Sequence, residues 1–163
     1  MQTRLKRACR SAAIAGVVAV LVGTVLAQTP DAQVGTWKLN LAKSTYSPGP
    51  APASATTKIE AAGAGTKVTV DQPQVNGPVR HWEFTANYDG KDVPITGNNP
   101  DADMIARTSV NASTVNSIMK KGGTITTRQT SVVSSDGKTR TVTTTGTNAG
   151  GQTVNNVAVY DKQ

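Results

Sequence analysis

Eight turn signals at nearly even spacing constrain the fold of this chain more than any other feature. They are Gly63-Ala64-Gly65, Asn76-Gly77, Asp89-Gly90, Gly97-Asn98-Asn99-Pro100, Asn111-Ala112-Ser113, Gly122-Gly123, Asp136-Gly137 and Asn148-Ala149-Gly150-Gly151. Gly, Asn and Asp tolerate the positive φ angles that tight hairpins require. The intervals of about 8–14 residues suit short strands. The pattern therefore predicts about nine strands in an antiparallel meander, which closes as a barrel or folds as a sandwich.

The composition that follows the first 27 residues also favours strands. This part contains 14 Val and 22 Thr but only two Leu, five Ile, one Phe and two Trp. β-Branched side chains are stiff at χ1 and fit a pleated sheet better than a helix. The segment 105–121 comes nearest to a helical pattern, but its β-branched residues and the Asn111-Ala112-Ser113 break predict two strands. We therefore expect an all-β protein.

The N-terminal 27 residues have the pattern of a cleaved signal peptide. Four basic residues precede an apolar run from Ala12 to Ala27, which is too short for a membrane span. Cleavage after Ala27 would leave a single domain, residues 28–163, without a membrane anchor. Its formal net charge would be +3, from 13 basic and 10 acidic residues, against +7 for the full chain. We expect a periplasmic or secreted protein. Cys9 lies in the removed part, so disulfides and thiolate sites are not expected.

The segment RHWEFTANY shows the clearest alternation with a period of two residues. One face carries Arg80, Trp82, Phe84, Ala86 and Tyr88. Aromatic side chains on one strand face either fill the core or line a pocket for an apolar or ring-bearing ligand. At the C-terminus, Val154, Asn156, Ala158 and Tyr160 share a face in the same way.

Short motifs at both ends of the predicted domain resemble known barrel families. Gly35-Thr36-Trp37 resembles the Gly-x-Trp signature of the lipocalins, and GTWKL resembles the first strand of the fatty-acid-binding proteins. Val159-Tyr160-Asp161-Lys162 is similar to the terminal strand of that group. The resemblance implies a single small up-and-down antiparallel β-barrel of about 8–10 strands. In such a barrel Gly35 permits a tight bend and Trp37 plugs one end.

Longer segments resemble a family of small secreted bacterial proteins of uncharacterised function. These segments are GTWKLNLAKSTYSPGPAP, DGKDVPITGNNPDAD and GTNAGGQTVNNVAVYDK. Two features differ from the fatty-acid-binding proteins. SPGPAPAS stands where those proteins have two lid helices, and Ala158 stands where they carry an Arg for the ligand carboxylate. The prolines predict a short, rigid crossing instead of a lid.

The resemblance favours an exported, lipocalin-like module that binds a small apolar or amphipathic ligand. The candidate ligand-lining residues are Trp82, Phe84, Tyr88, Arg80 and Tyr160. The alternative is a non-enzymatic envelope or secreted protein that acts through its Thr-rich surface strands and has a filled barrel without a ligand. The two differ in whether the small supply of bulky apolar residues leaves a cavity.

Other chemistry has little support in the sequence. His81 and Glu83 share the face opposite the aromatic residues, which predicts exposure to solvent. Asp101 and Asp103 lie in a sequence of ordinary turn formers. Lys120-Lys121 is the only basic pair after residue 27, which argues against nucleic-acid binding. We therefore expect no enzyme activity, no metal and no cofactor. The oligomeric state is not predicted.

Overall fold

The computed structural model describes residues 31–163, and the predicted signal peptide (1–27) lies outside them. The described chain forms one antiparallel sheet of eleven strands. They are β1 (Gly35–Leu39), β2 (Thr56–Ala62), β3 (Gly65–Gln72), β4 (Arg80–Asn87), β5 (Asp89–Pro94), β6 (Thr96–Gly97), β7 (Met104–Asn111), β8 (Thr114–Lys121), β9 (Thr124–Val133), β10 (Thr139–Thr147) and β11 (Thr153–Lys162). A short 3-10 turn, Leu41–Lys43, follows β1. In this part of the chain no helix is long and apolar enough to cross a membrane.

The sheet curves into a nearly closed barrel. Its order is β5-β7-β8-β9-β10-β11-β1-β2-β3-β4-β6. The strands at the two ends of this order are β5 and β6, and they follow each other in the chain within one segment, residues 89–97. Its first part pairs with β7 and its second part with β4. This segment therefore joins the two edges of the sheet.

The even spacing of turns predicted the strand boundaries correctly. Each of the eight turn signals lies at the junction between two strands, from β2 to β11. The count is eleven rather than about nine for two reasons. Strand β1 lies before the Pro-rich crossing, so the eight turns do not count it. Pro94 separates β5 from β6, because proline has no N–H for a ladder hydrogen bond.

Strand directions give the barrel two different ends. The β2–β3, β4–β5, β7–β8 and β9–β10 connections lie at one end together with residues 31–34, and we call it the closed end. The β3–β4, β6–β7, β8–β9 and β10–β11 connections lie at the other, open end. The chain from Tyr46 to Pro52, called the strap, also lies there and contains three of the prolines.

Trp37 lies at the closed end and is fully buried. Its Nε1 donates a 2.8 Å hydrogen bond to the carbonyl oxygen of Gln33, and Lys162 Nζ lies 5.1 Å from the ring centroid. Gly35 has a φ of +145°, and a Cβ there would lie 2.7 Å from Lys162 Cε. Gly35 and Trp37 thus lie together at the closed end, and a plugging role for Trp37 stays a prediction.

Alternating side chains of the strands point into the barrel. On β3, Val68 and Val70 are buried, and on β4 Phe84 and Ala86 are buried. The Thr-rich strands β9 and β10 also have an inner face, where Thr127 and Val142 are buried. The interior therefore combines apolar walls with buried hydroxyl groups.

Candidate functional site

The barrel encloses a cavity of about 550 Å³, which is in the range of small-molecule sites. Its walls come from both halves of the sheet and combine apolar with polar side chains. The apolar ones include Val68, Val70, Phe84, Ile105, Met119, Val142 and Ala158, and the polar ones include Thr57, Thr127, Gln129, Thr144 and Asn156. At the open end its rim includes strap prolines and the side-chain amides of the loops. These amides belong to Gln74, Asn76, Asn99, Asn148 and Gln152.

Two buried arginines lie deep in this cavity. Arg107 on β7 is 3% exposed and Arg140 on β10 is 8% exposed. Both lie in the half of their strand near the closed end, since Arg140 pairs with Tyr160 and Arg107 contacts Thr66. Ser117 and Ser131 line the same cavity. The floor of the cavity is therefore polar and carries positive charge.

Arg140 is held through one edge of its guanidinium. Its Nε donates to Ser131 Oγ at 2.8 Å and to Gln33 Oε1 at 3.1 Å. Its Cζ lies 5.6 Å from the ring centroid of Tyr160. The two Nη atoms form no hydrogen bond with any described residue. Every enclosed side-chain nitrogen or oxygen in residues 31–163 has a hydrogen-bond partner, so these Nη atoms are open to the cavity.

Arg107 has a different environment. Its Nη1 donates a 2.6 Å hydrogen bond to Thr66 Oγ1, and its Cζ lies 5.0 Å from the Tyr88 ring and 5.8 Å from the Phe84 ring. The Tyr88 hydroxyl donates to Asp31 Oδ2, which brings a carboxylate near this guanidinium. Arg107 is therefore partly compensated by Asp31, whereas Arg140 contacts only neutral groups.

Burial makes both charges costly. Desolvation lowers the pKa of Arg107, and it lowers the pKa of Arg140 to about 10. The two guanidinium groups also repel each other, which further lowers the pKa of Arg140. In the described chain neither guanidinium forms an ion pair, although Lys43, Lys58 and Lys67 do. The cavity floor thus holds positive charge without a direct counter-ion.

Two tyrosines complete the interior. Burial raises the pKa of Tyr160, and the neighbouring Arg140 opposes that shift. Burial and the proximity of Tyr160 raise the pKa of Tyr46 in the strap. Both side chains line the cavity, so the strap contributes an aromatic residue to it. Both phenols are neutral at physiological pH and leave the arginine charges unchanged.

The structure brings four of the five candidate ligand residues to the cavity wall. Arg80, Trp82, Phe84 and Tyr160 line it, with Arg80 and Trp82 near the open end. Tyr88 is different because its ring packs against Arg107 and its hydroxyl bonds to Asp31 at the closed end. The structure therefore does not bring Tyr88 to the cavity wall, and a ligand-binding role for it stays a prediction. A role in ligand binding for the other four stays a prediction.

The sequence analysis missed Arg107 and Arg140. Both lie in segments where threonine and serine obscure the alternation, ARTSV and KTRTVTTT. A usable signal was present, because Ile105 two residues before Arg107 and Val142 two residues after Arg140 are apolar and share their faces. An arginine next to apolar residues on one strand face indicates a buried guanidinium.

The remaining polar candidates lie elsewhere. His81 is exposed, and its Nδ1 lies 2.7 Å from Asp71 Oδ1 on the neighbouring strand. Asp103 accepts a hydrogen bond from the Gly122 N–H, and Asp101 accepts one from the Ala149 N–H at the cavity rim. Residues 31–163 contain no group of three or more His, Cys, Asp or Glu side chains that could hold a metal ion.

The fold and the cavity define a small antiparallel β-barrel with a ligand-sized interior. No family model and no curated protein matches the sequence. Among solved structures, the chain resembles the zebrafish ileal bile acid-binding protein in complex with cholic acid. The match has a TM-score of 0.46 and 18% sequence identity, and it covers 81% of this chain and 99% of that chain. The relationship to small secreted bacterial proteins stays a prediction.

Proposed function

We propose that this protein binds a small amphipathic anion inside the barrel, with the acidic group at the arginine floor and the apolar part along the walls. The observation that carries this proposal is the pair of buried guanidinium groups facing a cavity of about 550 Å³ without an ion pair in the described chain. The function is binding rather than catalysis. In agreement with the predicted signal peptide, we place it outside the cytoplasm.

The physical argument is electrostatic. An isolated buried charge costs several kcal/mol, and an opposite charge with good hydrogen-bond geometry offsets that cost. The Nη atoms of Arg140 can donate two parallel hydrogen bonds to a carboxylate, sulfonate or sulfate. Among residues 31–163, Asp101, near the rim, is the only acidic residue that lines the cavity, whereas Arg80, Arg107 and Arg140 supply three cations. The interior therefore favours anions over neutral molecules.

The apolar walls determine the rest of the ligand. Val, Ile, Met and Phe side chains line part of the space between the floor and the rim, and threonines line the rest together with amides. Burying an apolar chain there contributes about 25 cal/mol per Å² of surface removed from water. A compact inorganic anion would leave most of this surface unused. The cavity of about 550 Å³ supports this proposal over the alternative of a filled barrel without a ligand.

Native mass spectrometry tests this proposal. The full chain would be expressed, purified after export, and measured with and without dodecanoate. We expect a 1:1 adduct that is lost on denaturation. A bare monomer mass with dodecanoate, dodecan-1-ol and a total lipid extract would contradict the proposed function and favour action through the surface strands.

Arg140→Met tests the position of the acidic group. We expect the affinity for dodecanoate to fall at least tenfold while the protein remains folded, because Met fills similar space and removes a costly buried charge. Isothermal titration would measure the affinity. Arg80→Met is the matched control, since Arg80 lines the open end, and its affinity should change less than threefold. Equal losses in both variants would contradict a specific floor site.

A further inference from the structure

Gln33 is a fully enclosed polar residue near the cavity floor. It is 0% exposed and belongs to the segment that precedes β1 at the closed end. Its side-chain amide spans from this segment to the opposite strands. Nε2 donates to the carbonyl oxygens of Ser113 at 2.9 Å and Ser131 at 3.4 Å. This amide is therefore fixed from both sides, and its oxygen points to the arginine.

The oxygen of that amide organises Arg140. Gln33 Oε1 accepts from Arg140 Nε at 3.1 Å and from Ser131 Oγ at 2.8 Å, and Ser131 Oγ in turn accepts from Arg140 Nε at 2.8 Å. These three groups form a closed triangle of hydrogen bonds. The triangle uses the Nε edge of the guanidinium and leaves both Nη atoms directed to the cavity.

A glutamate at position 33 would have the same shape as glutamine but a different charge. The chemical type of this side chain therefore decides its effect on Arg140. A carboxylate at this position would neutralise Arg140 in a buried ion pair through one oxygen, while its other oxygen would face the carbonyl oxygens of Ser113 and Ser131 without a proton to donate. The amide gives the same orientation through a dipole and leaves the positive charge uncompensated. Trp37 Nε1 donates to the Gln33 carbonyl oxygen, which anchors the backbone of residue 33 to the plug of the barrel.

We infer that Gln33 is a positioning residue that holds Arg140 as the anion-recognising group of the cavity without neutralising it, and that it thereby sets the preference for anionic over neutral amphiphiles. This inference rests on the proposed function and adds the residue that determines its specificity. It also assigns the two arginines unequal roles. Arg140 meets the ligand anion, whereas Arg107 is partly compensated by Asp31.

The test compares dodecanoate with dodecan-1-ol, which has the same chain length and no charge. Isothermal titrations would use the full-length chain after export, as wild type and as Gln33→Glu. We expect the wild type to bind dodecanoate at least tenfold more tightly than dodecan-1-ol. In Gln33→Glu this ratio should fall to about one, because dodecanoate binding weakens tenfold or more while dodecan-1-ol binding changes less than threefold.

Gln129→Glu is the matched control. Gln129 lies on β9, lines the same cavity and is two residues from Ser131 on the same strand face, but it forms no hydrogen bond with Arg140. We expect its anion-to-neutral ratio to fall clearly less than in Gln33→Glu, because a carboxylate at position 129 adds negative charge to the cavity but forms no ion pair with Arg140. An equal loss of preference in both variants would overturn the inference, since any negative charge in the cavity would then suffice.

A third variant separates orientation from charge. Gln33→Met keeps the volume but removes the triangle, so Arg140 keeps its charge and loses its orientation. We expect an intermediate loss of dodecanoate affinity, about threefold to tenfold, with the same melting profile by circular dichroism as Gln33→Glu. Retained preference in both Gln33 variants would overturn the inference and leave the proposed function intact. Absence of binding by the wild type to either ligand would overturn both.

Discussion

Single residues at the closed end connect the stability of the barrel with its chemistry. Trp37 fills this end, and its indole N–H bonds to the backbone of Gln33, whose side chain holds Arg140. Trp37 is therefore one hydrogen bond away from the residue that contacts the buried charge. Such coupling predicts that changes at Trp37 affect the cavity floor as well as the free energy of unfolding.

Trp37→Phe is expected to lower the free energy of unfolding by roughly 2–4 kcal/mol. The smaller ring leaves a void, and the buried carbonyl oxygen of Gln33 loses its donor. Urea denaturation followed by circular dichroism would measure the change. Trp82→Phe is the control, because Trp82 is only partly buried on the cavity wall and should cost about 1 kcal/mol or less. Similar losses in both variants would contradict the special role of the plug.

At the scale of elements, glycines decide how closely the strands can approach. Gly65 begins β3 opposite Asn87 of β4, and a Cβ there would overlap the carbonyl oxygen of Ala86. The turn between β2 and β3 therefore needs glycine at this position for steric reasons. The β9–β10 turn depends instead on a side chain, since Asp136 Oδ1 accepts from Ser134 Oγ at 2.6 Å and from the Lys138 N–H at 3.0 Å.

Gly65→Ala is expected to destabilise the protein by roughly 1–3 kcal/mol, since the backbones of β3 and β4 must move apart to admit the methyl group. Urea denaturation would measure this change. Gly150→Ala provides the comparison. A Cβ at Gly150 meets only Asn148 Oδ1 at 3.4 Å, and we expect a change within about 0.5 kcal/mol. A neutral effect of Gly65→Ala would show that the two strands separate freely.

Asp136→Asn is expected to reduce the loss of stability that the protein shows between neutral and acidic pH. The hydrogen bond from Ser134, followed by that from the Lys138 N–H, lowers the pKa of the Asp136 carboxyl in the folded state. Stability from this group is therefore present above the unfolded value, about 3.9, and is lost as pH falls through the lower folded value. Melting temperatures at pH 7 and pH 3 should differ less in the variant than in the wild type. Equal differences would contradict this assignment.

The whole molecule is a barrel whose interior contains a cavity with a charged floor. Its apolar residues are mostly small, so the walls leave space, and the buried arginines keep that space polar at one end. In the protein without a ligand, buried charge that has no direct ion-pair partner in the described chain lowers the free energy of unfolding. A ligand that neutralises this charge should therefore raise the free energy of unfolding of the whole barrel.

Dodecanoate at 100 times its dissociation constant is expected to raise the free energy of unfolding by about 2.7 kcal/mol at 25 °C, because only the folded state binds it. Urea denaturation at fixed ligand concentration would measure the increase. Arg140→Met at the same dodecanoate concentration should show a much smaller increase. An identical increase in the variant would place the ligand away from the floor.

The sequence by itself determined the class of fold and the position of nearly every strand. Turn residues and alternation act locally, so Asn76-Gly77 or Asp136-Gly137 can be interpreted without knowledge of distant residues. The same local pattern placed Trp82 and Phe84 on an inward face. It could not reveal that Tyr88 packs against Arg107 rather than along the cavity, because that contact joins β7 to the end of β4.

Only the tertiary structure decided whether the barrel has a cavity and what lies in it. Gln33 and Arg140 are separated by more than a hundred residues, and closure of the sheet brings them to the same floor. Buried charge is a property of how much water the completed fold excludes. A local pattern can place an arginine on an inner face, as for Arg107 and Arg140, but it does not encode how much water the fold excludes or which distant residue holds the guanidinium.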